Sequence, residues 1–452
     1  MKLRYLVILL LLLMNSSCYH DFLEIKPDKS LVVPERIKDL QALLDNTAMN
    51  TNTVVNLGEI GADDYFLSDD RWKSLSYAQE RNAYVWAKEI FEGEKTSGWN
   101  TPYQQIYISN LVLEKLEEGN FVNDEAFRNA KGAALFFRAW AYYQLAQVFC
   151  PPYDKNANTN KYGLPIRLTA DINKPTQGRK TVGETYEQIL KDVEESIALL
   201  PRTSLVATRP NKQAALSLKA KCHLLQGNYA IALEVADQAM QIDNTLLDYN
   251  EMDSEKELPF DVLNREVVFH SKFSPQILGP TRAQVDKSLY QSYADTDLRK
   301  KLFFYFDKDG LCRYKGMYND APTILFSGIA RDELYLIWTE CALRTGNVAR
   351  ARAMLADLMV KRYAKGSFDA LALPNSREDL LTLTLAERRK ELMFRGVRWS
   401  DIRRLNTIEN QGISLVRELE GKTYILSPKD KRFTFPIPDE ALSLGNYLQN
   451  ER

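Results

Sequence analysis

The sequence has few of the residues and motifs that carry enzyme chemistry. It holds only three histidines, His20, His223 and His270. It has no H-E-x-x-H metal motif, no G-x-S-x-G nucleophile turn and no glycine-rich phosphate loop. These absences exclude the commonest metalloprotease, serine-hydrolase and nucleotide-dependent mechanisms. The sequence therefore predicts neither a catalytic constellation nor a cofactor.

The sequence also lacks an excess of positive charge and closely spaced cysteine pairs. The 59 Lys and Arg residues are balanced by 60 Asp and Glu residues, for a formal net charge of -1. This balance argues against nucleic-acid binding, which needs a concentrated basic surface. No two cysteines have the C-x-x-C spacing of a metal or redox site. The four that follow the N-terminal segment are therefore predicted to be thiols rather than a disulfide framework: Cys150, Cys222, Cys312 and Cys341.

Two acidic stretches imitate calcium-binding loops but lack a residue that such a loop needs. The stretch that begins at Asp307 has the right first residues, but its twelfth position is Tyr318, which cannot supply a bidentate carboxylate. The stretch that begins at Asp154 has Thr159 where the loop needs glycine, and Pro165 at position twelve. No metal site is predicted at either.

The N-terminal residues have the pattern of a targeting segment. Lys2 and Arg4 precede the apolar run Leu6–Met14, whose nine residues are too few to span a bilayer, which needs about 20. Small polar residues then lead to Cys18, as in a bacterial lipobox. We predict a lipoprotein signal peptide at residues 1–17, a lipid on Cys18, and a tether with a docking segment at 18–34. The alternative is an ordinary signal peptide followed by an incidental cysteine.

Two segments have the pattern of a helical hairpin. In residues 211–244, apolar positions repeat with helical spacing on both sides of Gly227. Ala220, Gly227, Ala232 and Ala239 are 7, 5 and 7 residues apart, and the same spacing recurs downstream in Thr339, Gly346, Ala351 and Leu358. One hairpin cannot bury its own apolar face, so such units must stack. The predicted fold is mainly α, with stacked tetratricopeptide-like hairpins.

The rest of residues 35–452 is predicted to belong to the same body. Residues 125–149 read as a long helix that is apolar on most of its surface, which is typical of a helix in the middle of a bundle. Residues 55–98 and 245–330 show aromatic clusters and short strand-like runs without a sustained helical period. These are predicted to form an irregular, loop-rich subdomain on the ligand side of the scaffold.

Two other function classes remain open, one based on paired acids and one on the helical-hairpin repeats. Asp63 and Asp64, or Glu387 and Glu391, could serve a secreted helical glycosidase. Glu387 and Glu391 lie one helical turn apart among basic residues, so structural ion pairs are the preferred interpretation. The basic segment 387–404 is predicted to form packed helices whose arginines tie neighbouring loops and helix C-termini. A periplasmic protein-interaction scaffold is the third reading, since helical-hairpin repeats often serve that purpose.

The segment ERRKELMFRGVRWSDIRRL is the most distinctive motif of the chain. It resembles the signature of the SusD/RagB-type lipoproteins, the outer-membrane nutrient-binding proteins of glycan and peptide uptake systems, and the resemblance covers nearly the whole chain. Arg395 is a departure from the family pattern, because the family often has an acid there. The resemblance also rests on these positions: Cys18, Asp21, Phe22, Leu23, Glu24, Pro27, Trp99, Tyr103, Ile106, Asn110, Ala130, Lys131, Arg138, Ala139, Tyr162, Gly163, Leu164, Pro165, Arg179, Thr181, Val182, Asp192, Pro436, Ile437, Pro438, Asn446, Tyr447, Leu448, Gln449 and Asn450.

The resemblance implies a fold, a location and a partner. It implies four tetratricopeptide-like hairpins, a lipid anchor in the outer membrane with the body facing the cell exterior, and no enzymatic activity. The implied function is to capture a glycan, or a peptide, and deliver it to a SusC-like TonB-dependent β-barrel transporter. Ligand contacts in the family sit on variable loops, so no ligand residue is carried over by motif.

The candidate ligand residues follow from aromatic density instead. Exposed aromatic rings stack on the flat C–H faces of sugars. Two loop-like stretches, 64–86 and 305–318, are dense in aromatic residues outside any clear helical stripe. The predicted ligand-binding residues are Tyr65, Trp72, Tyr77, Tyr314 and Tyr318.

Overall fold

The computed structural model describes residues 34, 36–174, 176 and 178–452. The predicted signal peptide lies outside the described residues, as does the predicted tether apart from Pro34. Cys18 is therefore among the residues of which the structure says nothing. Within the described ranges, no helix has both the length and the apolar character needed to cross a membrane.

Helices account for most of the regular structure. The α-helices of the described residues are, in chain order, α1 (Ile37–Leu44), α2 (Val55–Gly61), α3 (Asp69–Lys73), α4 (Ala78–Tyr84), α5 (Ser97–Glu118), α6 (Glu125–Phe149), α7 (Val182–Leu199), α8 (Lys212–Leu225), α9 (Tyr229–Met240), α10 (Lys287–Gln291), α11 (Arg299–Leu302), α12 (Arg331–Arg344), α13 (Val348–Val360), α14 (Arg377–Glu391), α15 (Arg398–Thr407) and α16 (Asp439–Gly445).

The strands are short and form antiparallel pairs: β1 with β4, β2 with β8, β3 with β7, β5 with β6, and β9 with β10. Their bounds are β1 (Tyr65–Phe66), β2 (Val267–Phe269), β3 (Lys272–Phe273), β4 (Gln284–Val285), β5 (Phe304–Phe306), β6 (Cys312–Tyr314), β7 (Leu325–Phe326), β8 (Ile329–Ala330), β9 (Leu415–Leu419) and β10 (Lys422–Leu426).

The hairpin predicted at residues 211–244 is formed by α8 and α9. Asn211 caps α8, because its side-chain oxygen accepts a hydrogen bond from the backbone N–H of Ala214 at 2.9 Å. Gly227 stands between the helices with φ +74°, a left-handed conformation that favours glycine and ends the helix. Ala220 and Ala232 are both fully buried, so the two helix backbones approach closely.

The second predicted hairpin is formed by α12 and α13. Gly346 occupies the equivalent turn position, with φ +90°. Thr339, Ala351 and Leu358, which share the spacing of the first hairpin, are all buried. The equal spacing therefore reflects the same local geometry, and the predicted class of stacked helical hairpins is confirmed.

The helices stack mostly in chain order. Contacts run from α5 through α6, α7 and α8 to α9, and then from α9 to α12, which also packs against α13 and α14. The segment between α9 and α12 leaves this stack and carries seven of the strands, β2 to β8. It corresponds to the irregular segment predicted at residues 245–330.

Helix α6 lies in the middle of the main core, as its composition predicts. Every residue from Gly132 to Phe149 is buried. Its rings reach the irregular segment: Phe136 and Trp140 lie 4.8 and 5.5 Å from the ring of Phe269 in β2. This aromatic contact fastens the strand-bearing segment to the helical stack.

Candidate functional site

The signature segment at residues 387–404 forms the end of α14 and most of α15, and its charged side chains are largely buried. Arg299 bonds three carboxylates, from Asp297 at 2.7 Å, Glu387 at 2.6 Å and Glu391 at 2.9 Å. Arg362 bonds the other oxygen of Glu391 at 2.6 Å. These side chains are almost completely removed from solvent, so their charges are compensated by one another rather than by water.

A second group of ion pairs continues along the same two helices. Arg388 and Arg404 bond opposite oxygens of Asp401 at 2.7 and 2.9 Å, and Arg404 also bonds Glu340 at 2.7 Å. Burial by itself would raise the pKa of Asp401, but Arg388 and Arg404 lower this pKa to about 2. Arg395, the departure from the family pattern, pairs with buried Asp332 at 3.1 Å.

The structure places the acids of the glycosidase alternative inside this network. Asp63 bonds Arg398 at 2.7 Å, and Asp64, which is 1% exposed, bonds Arg389 at 2.9 Å. Glu387 and Glu391 are buried as well. A glycosidase needs two carboxyl groups that reach the sugar from opposite sides of the scissile bond. These four acids instead hold α14 and α15 to their neighbours.

Three of the predicted ligand-binding residues are buried. Tyr65, Tyr314 and Tyr318 are 1%, 8% and 0% exposed, so their rings have no open face for a sugar. The hydroxyl of Tyr318 donates to Glu266 at 2.9 Å, and that of Tyr65 donates to the carbonyl oxygen of Ile60 at 2.9 Å. The expectation of exposed rings is corrected for these three residues, because they pack the irregular segment onto the scaffold.

The other two predicted residues reach the surface. Tyr77 is 52% exposed and precedes α4. Trp72 lies in α3 and is half-buried, and its indole N–H donates to the carbonyl oxygen of Arg81 at 3.1 Å. This bond orients the ring while part of it stays open. Both residues remain candidates for ligand contact.

Two further exposed aromatic residues, which were not predicted as ligand contacts, lie at the start of the second aromatic stretch, 305–318. In β5, Tyr305 is 37% exposed and Phe306 is 56% exposed, and the ring of Tyr290 lies 5.4 Å from that of Phe306. The sequence feature that predicts their exposure is the turn Asp307–Gly310, in which Gly310 has φ +71°. A turn at that point makes β5 and β6 a hairpin, and the rings beside a hairpin tip tend to be exposed.

Both exposed groups are attached to the same segment, residues 276–285. Glu80 in α4 accepts hydrogen bonds from the backbone N–H groups of Gln276 and Ile277 at 2.8 and 2.7 Å. Arg313 in β6 donates to the carbonyl oxygens of Arg282 and Ala283 at 3.0 and 2.7 Å. We name Trp72, Tyr77, Tyr305 and Phe306 the loop surface. Its rings can stack on the flat face of a sugar.

Two family models match the chain. One, described as "Starch-binding associating with outer membrane" (SusD-like), matches residues 21–224. The other, described as "SusD family" (SusD_RagB), matches residues 333–450. No match was found among curated protein sequences.

The fold is also similar to solved structures. A SusD superfamily protein from Bacteroides thetaiotaomicron is 19% identical, with a TM-score of 0.74 over 92% of this chain and 100% of that one. A SusD-like carbohydrate binding protein from Bacteroides vulgatus is 18% identical, with a TM-score of 0.68 over 91% and 97%. A laminarin binding SusD-like protein is 18% identical, with a TM-score of 0.65 over 91% and 97%.

The stacked hairpins and the buried signature segment define a helical binding scaffold of the SusD type. The family models and the structural neighbours agree on this class. This chain belongs to the SusD/RagB family.

Proposed function

We propose that this protein is a cell-surface lipoprotein that captures a glycan and delivers it to a SusC-like TonB-dependent transporter in the outer membrane. The observation that carries the proposal is the loop surface, where aromatic rings are exposed on the short helix α3, on the residue before α4 and on strand β5. The family description as starch-binding and the laminarin binding neighbour favour a glycan over a peptide. The lipid on Cys18 would hold the body at the membrane.

The strength of binding requires several rings to act together. A micromolar site needs about -8 kcal/mol, while one aromatic contact contributes roughly 0.5–1.5 kcal/mol beyond its area burial. Tyr77, Tyr305 and Phe306 offer exposed rings and Trp72 offers a partly exposed one. The remaining free energy must come from buried area and from hydrogen bonds between polar side chains and sugar hydroxyls.

Loss of one ring from the loop surface should weaken glycan binding without unfolding the protein. We expect Trp72→Ala and Tyr77→Ala each to lower affinity about three- to tenfold, which is the effect of losing one stacking contact of about 1 kcal/mol. The measurement is isothermal titration with laminari- and malto-oligosaccharides, with thermal unfolding recorded for each variant.

Tyr107→Ala is the matched control, because Tyr107 is an exposed tyrosine on α5 outside the loop surface. The affinity of this variant for the oligosaccharides should equal that of the unaltered protein. If the Trp72 and Tyr77 variants also keep full affinity while remaining folded, the loop surface is not the binding site.

The delivery role requires a stable complex with the transporter. Permanent interfaces bury about 2,000 Å² or more, and the outer faces of the stacked hairpins provide rigid surface of that kind. We expect isolation of this protein from its native membrane in mild detergent to recover a larger β-barrel protein with it. An unrelated lipoprotein with the same affinity tag is the control. Recovery of the protein alone, under conditions that keep other such complexes intact, contradicts the delivery role.

A further inference from the structure

A cleft of about 980 Å³ opens between the loop that follows α6, the end of α15 and the last residues of the chain. Its lining shares no residue with the loop surface. Pro152, Tyr153 and Tyr162 contribute from the first loop, Arg403 and Asn410 from the region of α15, and Lys429 from the loop that follows β10. The cleft is large enough for several sugar rings.

Arg403 is a buried cation in the lining of this cleft. It is 3% exposed, and its guanidinium donates to the carbonyl oxygens of Gln147 and Cys150 at the end of α6. Both acceptors are uncharged, and no carboxylate in the described part of the chain forms an ion pair with Arg403. Burial lowers the pKa of Arg403 to about 10.

The guanidinium of Arg403 has donors to spare. An arginine side chain carries five N–H donors, and the two carbonyl bonds use only part of them. The buried Nε–H has no hydrogen-bond partner in the described residues. A buried donor without an acceptor is unusual in a native protein, and here it belongs to a charged group. An anion that met the terminal N–H groups of Arg403 from the cleft would compensate its charge.

The acids at the cleft are already engaged by other groups. Asp430 bonds Arg432 at 2.6 Å, and Glu451 accepts a hydrogen bond from the hydroxyl of Tyr162 at 2.8 Å. Glu451 also pairs with Lys431. Asp154 accepts from the backbone N–H of Asn156 at 2.8 Å.

The cations at the rim are less engaged. Lys155 and Lys429 are exposed, and neither forms an ion pair within the described residues. Four cations line the cleft, Lys155, Arg403, Lys429 and Lys431, against the three acids Asp154, Asp430 and Glu451, which gives the cleft a positive character. Asp154 is the one lining acid without an ion pair within the described residues, and the unpaired cations Lys155, Lys429 and Arg403 outnumber it.

We propose that this cleft binds the carboxylate or sulfate group of an acidic oligosaccharide, with Arg403 as the buried anion partner and Lys155 and Lys429 at the rim. This inference rests on the proposed function, in which the protein captures a glycan, and it adds a second site to the loop surface. Arginine suits the role because its planar fork matches both carboxylate and sulfate oxygens. The half-buried rings of Tyr153 and Tyr162 also line the cleft.

The test compares charged sugars with their neutral counterparts on the purified chain. Isothermal titration measures tetragalacturonate against its methyl ester, and a sulfated galactan tetramer against its desulfated form. We expect at least one charged member to bind tenfold or more tightly than its neutral partner, and this preference to fall as salt is added. The first pair reports on carboxylate and the second on sulfate. Equal affinity within both pairs overturns the proposal.

Substitutions locate the preference in the cleft. Arg403→Met should abolish the preference for the charged sugar over its neutral partner. Lys155→Gln combined with Lys429→Gln should reduce this preference threefold or more. Both lysines are exposed, so the double variant decides the matter even if Arg403→Met fails to fold. A full preference in the double variant overturns the proposal.

A variant of the loop surface distinguishes failure of the anion site from failure of the proposed glycan-binding function. Trp72→Ala should leave the charged-to-neutral ratio unchanged. Binding of laminari-oligosaccharides without any charge preference removes the anion site but leaves the proposed function intact. Failure of every glycan to bind removes both.

Discussion

Replacing Glu391 with alanine is expected to destabilise the protein by about 3–5 kcal/mol, the usual result of removing one partner from a buried ion pair. The side chain of Glu391 is fully buried and bonds both Arg362 and Arg299, at 2.6 and 2.9 Å. Loss of its carboxylate leaves the two buried guanidinium groups of Arg299 and Arg362 with one fewer anionic partner.

Glu378→Ala is the matched control for this prediction. Glu378 lies in the first turn of the same helix, α14, and its exposed side chain pairs only with its neighbour Arg377. Such an exposed pair stabilises by less than about 1 kcal/mol. Urea unfolding of the two variants measures the difference in the free energy of unfolding. Equal losses in both would mean that the network of the signature segment does not stabilise the fold.

The second large effect concerns location rather than stability. Cys18→Ala is expected to move the protein from the membrane fraction to the soluble fraction, because acyl chains on Cys18 would be its anchor and stable anchoring needs more than one chain. The measurement is fractionation of cells followed by immunodetection.

The control for the anchor is Cys312→Ala, which removes a half-buried thiol from β6 and should leave the protein in the membrane fraction. Thermal unfolding of the released Cys18 variant should match that of the unaltered body. A Cys18 variant that stays in the membrane fraction contradicts the lipobox interpretation and favours an ordinary signal peptide or another mode of attachment.

Local physics explains which features could be predicted. The hairpin turns at Gly227 and Gly346 and the cap at Asn211 depend on residues a few positions apart, so their spacing in the sequence suffices. The burial of the long helix α6 could also be predicted, because a helix that is apolar on most of its surface is usually buried in a core. The prediction that arginines of segment 387–404 tie helix C-termini also holds, since Arg403 bonds the carbonyls at the end of α6.

The pairing of charges required the tertiary structure. Asp63 and Arg398 are 335 residues apart, and nothing local indicates that they meet. The same holds for Arg299, whose carboxylate partners Glu387 and Glu391 come from α14. The sequence showed acids and bases of suitable number, but which pairs are buried depends on how the elements pack.

The sequence by itself determined the class of fold, because helical periodicity and turn residues act over short distances. Only the tertiary structure decided which rings are exposed. Tyr318 is buried: its hydroxyl donates a hydrogen bond to Glu266, and the guanidinium of Arg395 lies 4.6 Å from its ring centre. Phe306, beside a hairpin turn, is exposed instead. Exposure is set by what the rest of the chain places over a side chain, and no local pattern contains that information.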